Sequence, residues 1–457
     1  MSILGTKHFY KKVLLIALPI MVQNGITNFV NLLDNVMIGQ VGTEQMSGVS
    51  IVNQFMFVVI LCMFGVVSGG GILGAQYYGQ RNMEGVRNVL RIKLVIAVTL
   101  MIIAGVGLFF LDEQLISIFL TDASEVGDPV ATLAYGKEYL MIMLVSLPPL
   151  AIEMSYSSTL RESGVTSVPM FASMVAVGVN LVLNYILIFG KLGAPVMGVA
   201  GAAIATVVSR YIQAAFVVIY SHTHTKKNPY FEGLWRGFKI SRAMFGKVLL
   251  LSAPLMANET LWAAGMAAVN SCYAQRGLAV VAATNIQSTL YNIFNIMFIA
   301  MGDSLAIIVG QKLGAGEIDE AKDSSKKIIV MSMFFAALGG ILMIVMSFWF
   351  PSVYNTNGEV KDLAGTIIRI CACFMPIHGF LHAVYFAIRS GGKTFVTFLF
   401  DSAYTWVVVF PVAYVLSHFT GIDITLLYFC CQAIDLIKAT VGFFIYRSGI
   451  WAKNITV

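Results

Sequence analysis

Apolar residues in this chain gather into blocks of about 20 or more positions separated by short polar turns, the length a helix needs to cross the hydrocarbon core of a bilayer. Such blocks fall at 13–38, 48–76, 89–111, 133–158, 166–189, 196–220, 248–274, 280–311, 326–350, 365–388, 395–417 and 423–446. Twelve membrane-spanning helices are predicted. Inside the first block, Asn24, Thr27, Asn28, Asn31, Asp34 and Asn35 fall within a stripe roughly 120° wide on a helix of about 100° per residue. Asn285, Ser288, Thr289, Asn292 and Asn295 make a second polar stripe in block 280–311. A carboxylate within a bilayer costs at least ~2.5 kcal/mol, so Asp34 is expected to face protein or water and is the first candidate for a coupling-ion site.

Composition agrees with the pattern. Of 457 residues 58% are hydrophobic and 11% charged, with a mean hydropathy of +0.82, which excludes an ordinary soluble domain and leaves little chain outside the membrane unit. The six cysteines form no CxxC pair and lie in apolar surroundings, so small buried hydrophobes are expected rather than metal ligands or disulfides. Lys7, Lys11 and Lys12 precede an apolar run in the manner of a signal peptide. No small-residue cleavage pattern follows and the run continues into Asp34, so it reads as a retained first helix.

The basic residues fix an orientation. With a cytoplasmic N-terminus, 22 Lys and Arg fall on the inner side and five on the outer, and the connection from Asp112 to Asp128 is purely acidic. Both termini are expected in the cytoplasm of a cell whose inner (plasma) membrane the chain crosses many times. The net charge of +6 is explained by this topology and calls for no nucleic acid.

An internal repeat divides the chain. VLLIALPIM (13–21) matches VLLLSAPLM (248–256) at an offset of 235, which also lays GAQYYGQRNMEGVR over VGQKLGAGEIDEAK and pairs Gln76 with Gln311 and Gly79 with Gly314. LPPLAIEMSYSSTLRESGVT (147–166) matches MPIHGFLHAVYFAIRSGGKT (375–394) at an offset of 228. The expected architecture is an all-α polytopic membrane protein of two six-helix bundles. An even number of spans per half relates the two by a pseudo-two-fold along the membrane normal. The halves are 1–221 and 246–457, joined by a polar cytoplasmic linker at 222–245 in which His222 and His224 read as solvated. Two similar bundles that rock about a cleft are a transporter's plan.

Several side chains could carry its chemistry. Glu259 lies inside the span at 248–274, and it and Asp34 are carboxylates placed to exchange protons or bind Na⁺. His378 and His382 stand one turn apart, Asp401 lies in the eleventh span, and Asn31 and Asn292 belong to the polar stripes. Asp303 and Asp435 lie near span ends, where water is in reach, and Arg210 and Lys438 sit low enough to snorkel. No HExxH, GxSxG or GxGD motif supports an enzyme.

The twelve-span repeat, LLDNVMIG, the LGAQYYGQRN and VGQKLGAGEIDEAK loops, NLVLNYILIFGKLGAP with GVAGAAIAT, and RSGGKT together resemble the multidrug and toxic compound extrusion family over essentially the whole chain. The resemblance implies an antiporter that exports organic, often cationic and amphipathic, drugs against inward H⁺ or Na⁺. It implies no other cofactor. The family's N-lobe carboxylate matches Asp34, with Asn180, Asn184 and Thr206 as polar partners and a possible Na⁺ site; its helix 7 acid matches Glu259. Asn184 replaces an Asp of some members, and His378 stands where the Na⁺-linked branch has Asp, which favours H⁺ coupling. The expected partners are a small-molecule substrate, the coupling cation and lipid, around a monomer. A flippase or exporter of lipid-linked or metabolite cargo is the nearest alternative and a membrane-embedded enzyme a more distant one; the scarcity of deep basic residues argues for cationic cargo.

Overall fold

A computed structural model describes residues 5–120, 128–237 and 240–456, and these residues are helical with no strand among them. In chain order the helices are α1 (Lys7–Gly39), α2 (Thr43–Gly79), α3 (Met83–Phe110), α4 (Asp112–Leu120), α5 (Pro129–Leu144), α6 (Leu147–Glu162), α7 (Ser167–Phe189) and α8 (Gly198–Thr223). They continue with α9 (Arg242–Ala274), α10 (Leu278–Gly314), α11 (Ile318–Met346), α12 (Gly358–Ser390), α13 (Thr394–Phe398), α14 (Phe410–Phe419), α15 (Ile424–Ala433) and α16 (Asp435–Ser448). Ten helical segments are long and apolar enough to cross a membrane, and α5 with α6 makes an eleventh, bent by 49°. The 33-residue α9 has the length of a twelfth, so every span read from the sequence has its helix. The chain is a multi-pass membrane protein.

Prolines locate the irregularities. Pro148 and Pro149 open α6; neither donates a backbone hydrogen bond, and each disfavours a helical residue before it, so the fourth span breaks at Val145–Ser146. Arg210 of α8 donates from Nη1 to Ser146 Oγ at this break (3.0 Å), a correction to the expectation that it snorkels. The eleventh span also departs from regular helix. Leu399–Ala403 and Thr405–Val409 are π-helical, a register that recurs at functional positions.

The chain forms two compact units. One comprises Met1–Met21, Ala75–Asn82 and Ala253–Val457, the other Val22–Gly74 and Met83–Ser252. The second unit includes the segment expected to be a solvated linker, and its described part is folded down. Tyr230 and Phe231 are buried, Phe231 stacks on Tyr156 with centroids 5.4 Å apart, and Arg91 donates to the carbonyls of Gly233, Leu234 and Arg236. His222, near the end of α8, meets the Tyr156 hydroxyl (3.1 Å) and is only partly exposed, while His224 is exposed. In the same unit Lys93 and Glu162 form a buried ion pair (2.8 Å) against Gly70, Gly71 and Gly74 of α2, where a Cβ would collide with their side chains.

In the first unit the ends of α2 and α10 cross at the positions the repeat pairs. A Cβ on Gly79 would strike the Gln311 carbonyl, and one on Gly314 would strike that of Gln76. The tail closes over this crossing. Gln76 is fully buried, donates to Ser390 O (3.0 Å) and Lys453 O (3.2 Å), and accepts from Ile455 N–H (2.8 Å). The cysteines are free, three of them buried and Cys373 exposed.

Candidate functional site

In the second unit α1, α7 and α8 bring four of the expected residues together. Asn180 and Asn184 stand one turn apart on α7, so both amides face α1. Asn184 Nδ2 donates to Asp34 Oδ1 (2.6 Å) and to Asn180 Oδ1 (3.1 Å), and Asn180 Nδ2 lies 3.4 Å from Thr206 Oγ1. Thr206 returns its proton to Ala202 O of its own helix (3.0 Å), which leaves oxygen lone pairs facing Asn180. Turned about its amide, Asn180 instead donates to both Asp34 oxygens, at 3.0 and 3.3 Å. Asp34 thus sits among neutral groups that can either give or accept. Among the described residues no Lys, Arg or His forms an ion pair with it. Asn184 Oδ1 is buried with no hydrogen-bond partner.

The first unit handles its acids differently. Glu259 accepts from the Tyr385 hydroxyl (3.2 Å); Asn258, its neighbour on α9, donates to the same hydroxyl (3.1 Å) and to Asp401 Oδ2 (3.1 Å). Asp401 Oδ1 takes the ammonium of Lys438 at 2.8 Å, so Lys438 turns inward instead of snorkelling. Asp435 is partly exposed and lies inside the last span rather than at its end. It opens α16 beside the break in the last span and lies 3.3 Å from His378 Nε2. His378 presents its ring edge-on to Tyr291, with Nδ1 buried and unpartnered, and His382 packs near Phe298. The two histidines therefore have separate surroundings.

Other expected residues join neither cluster. Asn292 is exposed on α10 along with Asn285, Ser288 and Thr289, and Asn28 and Asn35 are exposed on α1. The side chain of Asn31 lies outside the described residues. Sequence reasoning missed Asn258 and Tyr385, and also Glu153, which is buried on α6 and accepts from Ser157 at 2.6 Å. Tyr385 did carry a signal, being spaced at i+7 from His378 and i+3 from His382 on one face of α12.

The chain as a whole is similar to known proteins. The family described as MatE matches residues 19–186 and 254–415, two copies whose starts are separated by the offset of the internal repeat. A probable multidrug resistance protein of Bacillus subtilis, YoeA, is 25% identical over 91% of this chain and 88% of its own length. A probable multidrug resistance protein of Thermotoga maritima, NorM, is 23% identical over 97% of this chain and 93% of its own. Among solved structures, one described as the outward-facing conformation of a multidrug resistance MATE family transporter superposes with a TM-score of 0.86 at 18% identity, covering 96% of this chain and 95% of that one.

Proposed function

Because this chain belongs to the MatE family of transporters, we propose that it is an antiporter which exports organic cations across the plasma membrane, with both termini in the cytoplasm, against an inward flow of H⁺ or Na⁺. The names of its relatives support drug-like cargo. The observation that carries the reading is the Asp34 cluster, a partly buried carboxylate that accepts from Asn184 and, with its amide turned, from Asn180, has Thr206 behind Asn180, and has no ion-pair partner among the described residues. A structural carboxylate at this depth would be matched with a cation of the protein, as Asp401 is with Lys438. Asp34 instead keeps its charge available to a mobile one.

The mechanism is competition for one charge. An ionised Asp34 attracts a cationic cargo reached from the cytoplasm. A proton cancels that charge, and Na⁺ held between Asp34 and the oxygens of Asn180, Asn184 and Thr206 does the same; either weakens the hold on the cargo, which leaves outside. Loss of the ion to the cytoplasm restores the affinity, and alternating access carries the two species in opposite directions. His378 in place of an acid, tied to Asp435, supports a proton over Na⁺ in the first unit.

The test is ethidium efflux from vesicles under separately imposed H⁺ and Na⁺ gradients, with wild type, Asp34→Asn and Glu259→Gln. Wild type is expected to extrude dye with one gradient only, and at least one substitution to abolish the coupling while folded protein remains in the membrane. Normal gradient-driven export by both variants would overturn the assignment.

A further inference from the structure

The π-helical stretch of the eleventh span builds a small cradle, and the chain fills it with its own amine. Lys438 Nζ lies 2.8 Å from Asp401 Oδ1, 5.4 Å from the ring centroid of Phe400 and 5.8 Å from that of Tyr404. A carboxylate set beside aromatic faces is the chemistry that recognises an alkylammonium ion. The carboxylate is held firmly. Asp401 Oδ2 accepts from Asn258, whose Oδ1 in turn accepts from the backbone N–H (3.2 Å) and hydroxyl (2.8 Å) of Ser402. The cradle is also continuous with Glu259. From Asp401 the hydrogen bonds run to Asn258, on to the Tyr385 hydroxyl, and on to Glu259 Oε1.

Two carboxylates therefore share one polar network: Asp401 is answered by Lys438 at hydrogen-bond distance, and Glu259 by the field of Arg389. We propose that the space around Lys438 Nζ is an organic-ammonium subsite occupied by the protein's own side chain, and that Lys438 thereby limits this unit to cargo with a single positive centre. The inference rests on the proposed handling of organic cations. Glu259 and Asp401 are together balanced by Lys438 and Arg389. Replacing the lysine with glutamine leaves one uncompensated negative charge and opens the cradle for a further ammonium, whereas replacing Asp401 with asparagine as well restores the wild-type balance. The His378–Asp435 pair is the same in every variant and drops out of the comparison.

Ethidium and propidium test this directly, because they share one cationic ring system and propidium adds a quaternary ammonium on a short arm. Equilibrium fluorescence titration of the purified full-length protein gives the ratio of their dissociation constants. Lys438→Gln is expected to shift the ratio towards propidium about tenfold or more. Lys438→Arg, which refills the cradle, and the double variant Asp401→Asn/Lys438→Gln are expected to keep the wild-type ratio. Asp401→Asn alone leaves an unanswered ammonium and is expected to shift the ratio the other way, so the test survives if Lys438→Gln does not fold. A ratio that neither single variant moves overturns the proposal, as does a double variant that behaves like Lys438→Gln, or a failure of every variant to bind either dye. Binding needs no gradient, so a protein that binds the dyes but exports none would sink the antiport reading and leave the subsite standing.

Discussion

Replacing Lys93 with methionine removes a charge from the most enclosed ion pair in the second unit while keeping most of the side chain's length. The lysine has no exposed surface, and its Nζ reaches both Glu162 oxygens (2.8 and 3.1 Å), Ser158 Oγ (2.8 Å) and Thr159 Oγ1 (2.6 Å). The Glu162 carboxylate lies against the backbone of α2, where a Cβ on Gly71 would come within 2.9 Å of it, and it cannot swing out to water. Stripping one partner from such a pair costs about 3–5 kcal/mol, because the remaining charge keeps its desolvation and loses its compensation. Lys93→Met and Glu162→Gln are each expected to lose about that much in reversible unfolding by detergent. The double variant leaves no buried charge and is expected to lose less than about 2 kcal/mol, since a buried pair exchanged for neutral groups is often close to neutral. The decisive quantity is the coupling between the two changes. Single losses that simply add, or a Lys93→Met variant within about 1 kcal/mol of wild type, would refute the account of this pair.

Other consequences follow from the same structure. Gly79→Val and Gly314→Val each drive a side chain into a backbone carbonyl that cannot move aside and are expected to abolish the monodisperse peak in gel filtration, whereas Gly178→Ala, with nothing within 4 Å of its new methyl, is expected to be tolerated. Arg91→Gln removes donors to three carbonyls of the 229–236 segment, and limited trypsin digestion is expected to cut at Arg236 several-fold faster; an unchanged rate would show that the segment is held by other means. Gln76→Leu leaves the Ile455 N–H without its acceptor and two carbonyls without their donor, at about 1–3 kcal/mol for each group that stays buried. Amide exchange in the last residues is expected to rise at least about fivefold, and a tail as protected as in wild type would contradict the proposed closure over the crossing.

What was legible in the sequence and what was not divides along a physical line. The spans are written as apolar runs because lipid allows no other backbone solution than a helix or a closed barrel. Asp34 and Glu259 stand out because acids are rare in such runs. Their partners do not stand out. Asn258, Tyr385 and Lys438 meet only after α9, α12 and α16 have packed, and the rotation of each helix depends on neighbours far along the chain. Lys438 was misread for this reason, since a lysine near a span end has two outlets and only packing closes one. The 222–237 segment was misread differently. Its charges suggested solvent, but Tyr230 and Phe231 were the anchors, and Arg87 and Arg91 on α3 hold its carbonyls.

The repeat adds a further argument, because its two copies share a helical plan and differ at their acids. At the first helix of each copy Asn24 stands opposite Glu259, and Asp34 stands opposite Val269, so the carboxylates lie about ten residues, or roughly 15 Å of helix, apart in register. The surroundings differ in kind as well as in depth. Around Asp34 the partners are amides, which present a donor or an acceptor by turning and so suit a carboxylate whose charge comes and goes. Around Glu259 and Asp401 they are a lysine, a phenol and an amide fixed by Ser402, which suit charges that stay. A site that must release its ion on every cycle gains from the first arrangement, and a site that must discriminate among bulky cations gains from the second. Under the proposed antiport, that difference fits one copy suited to exchanging a coupling ion and the other to choosing a cargo.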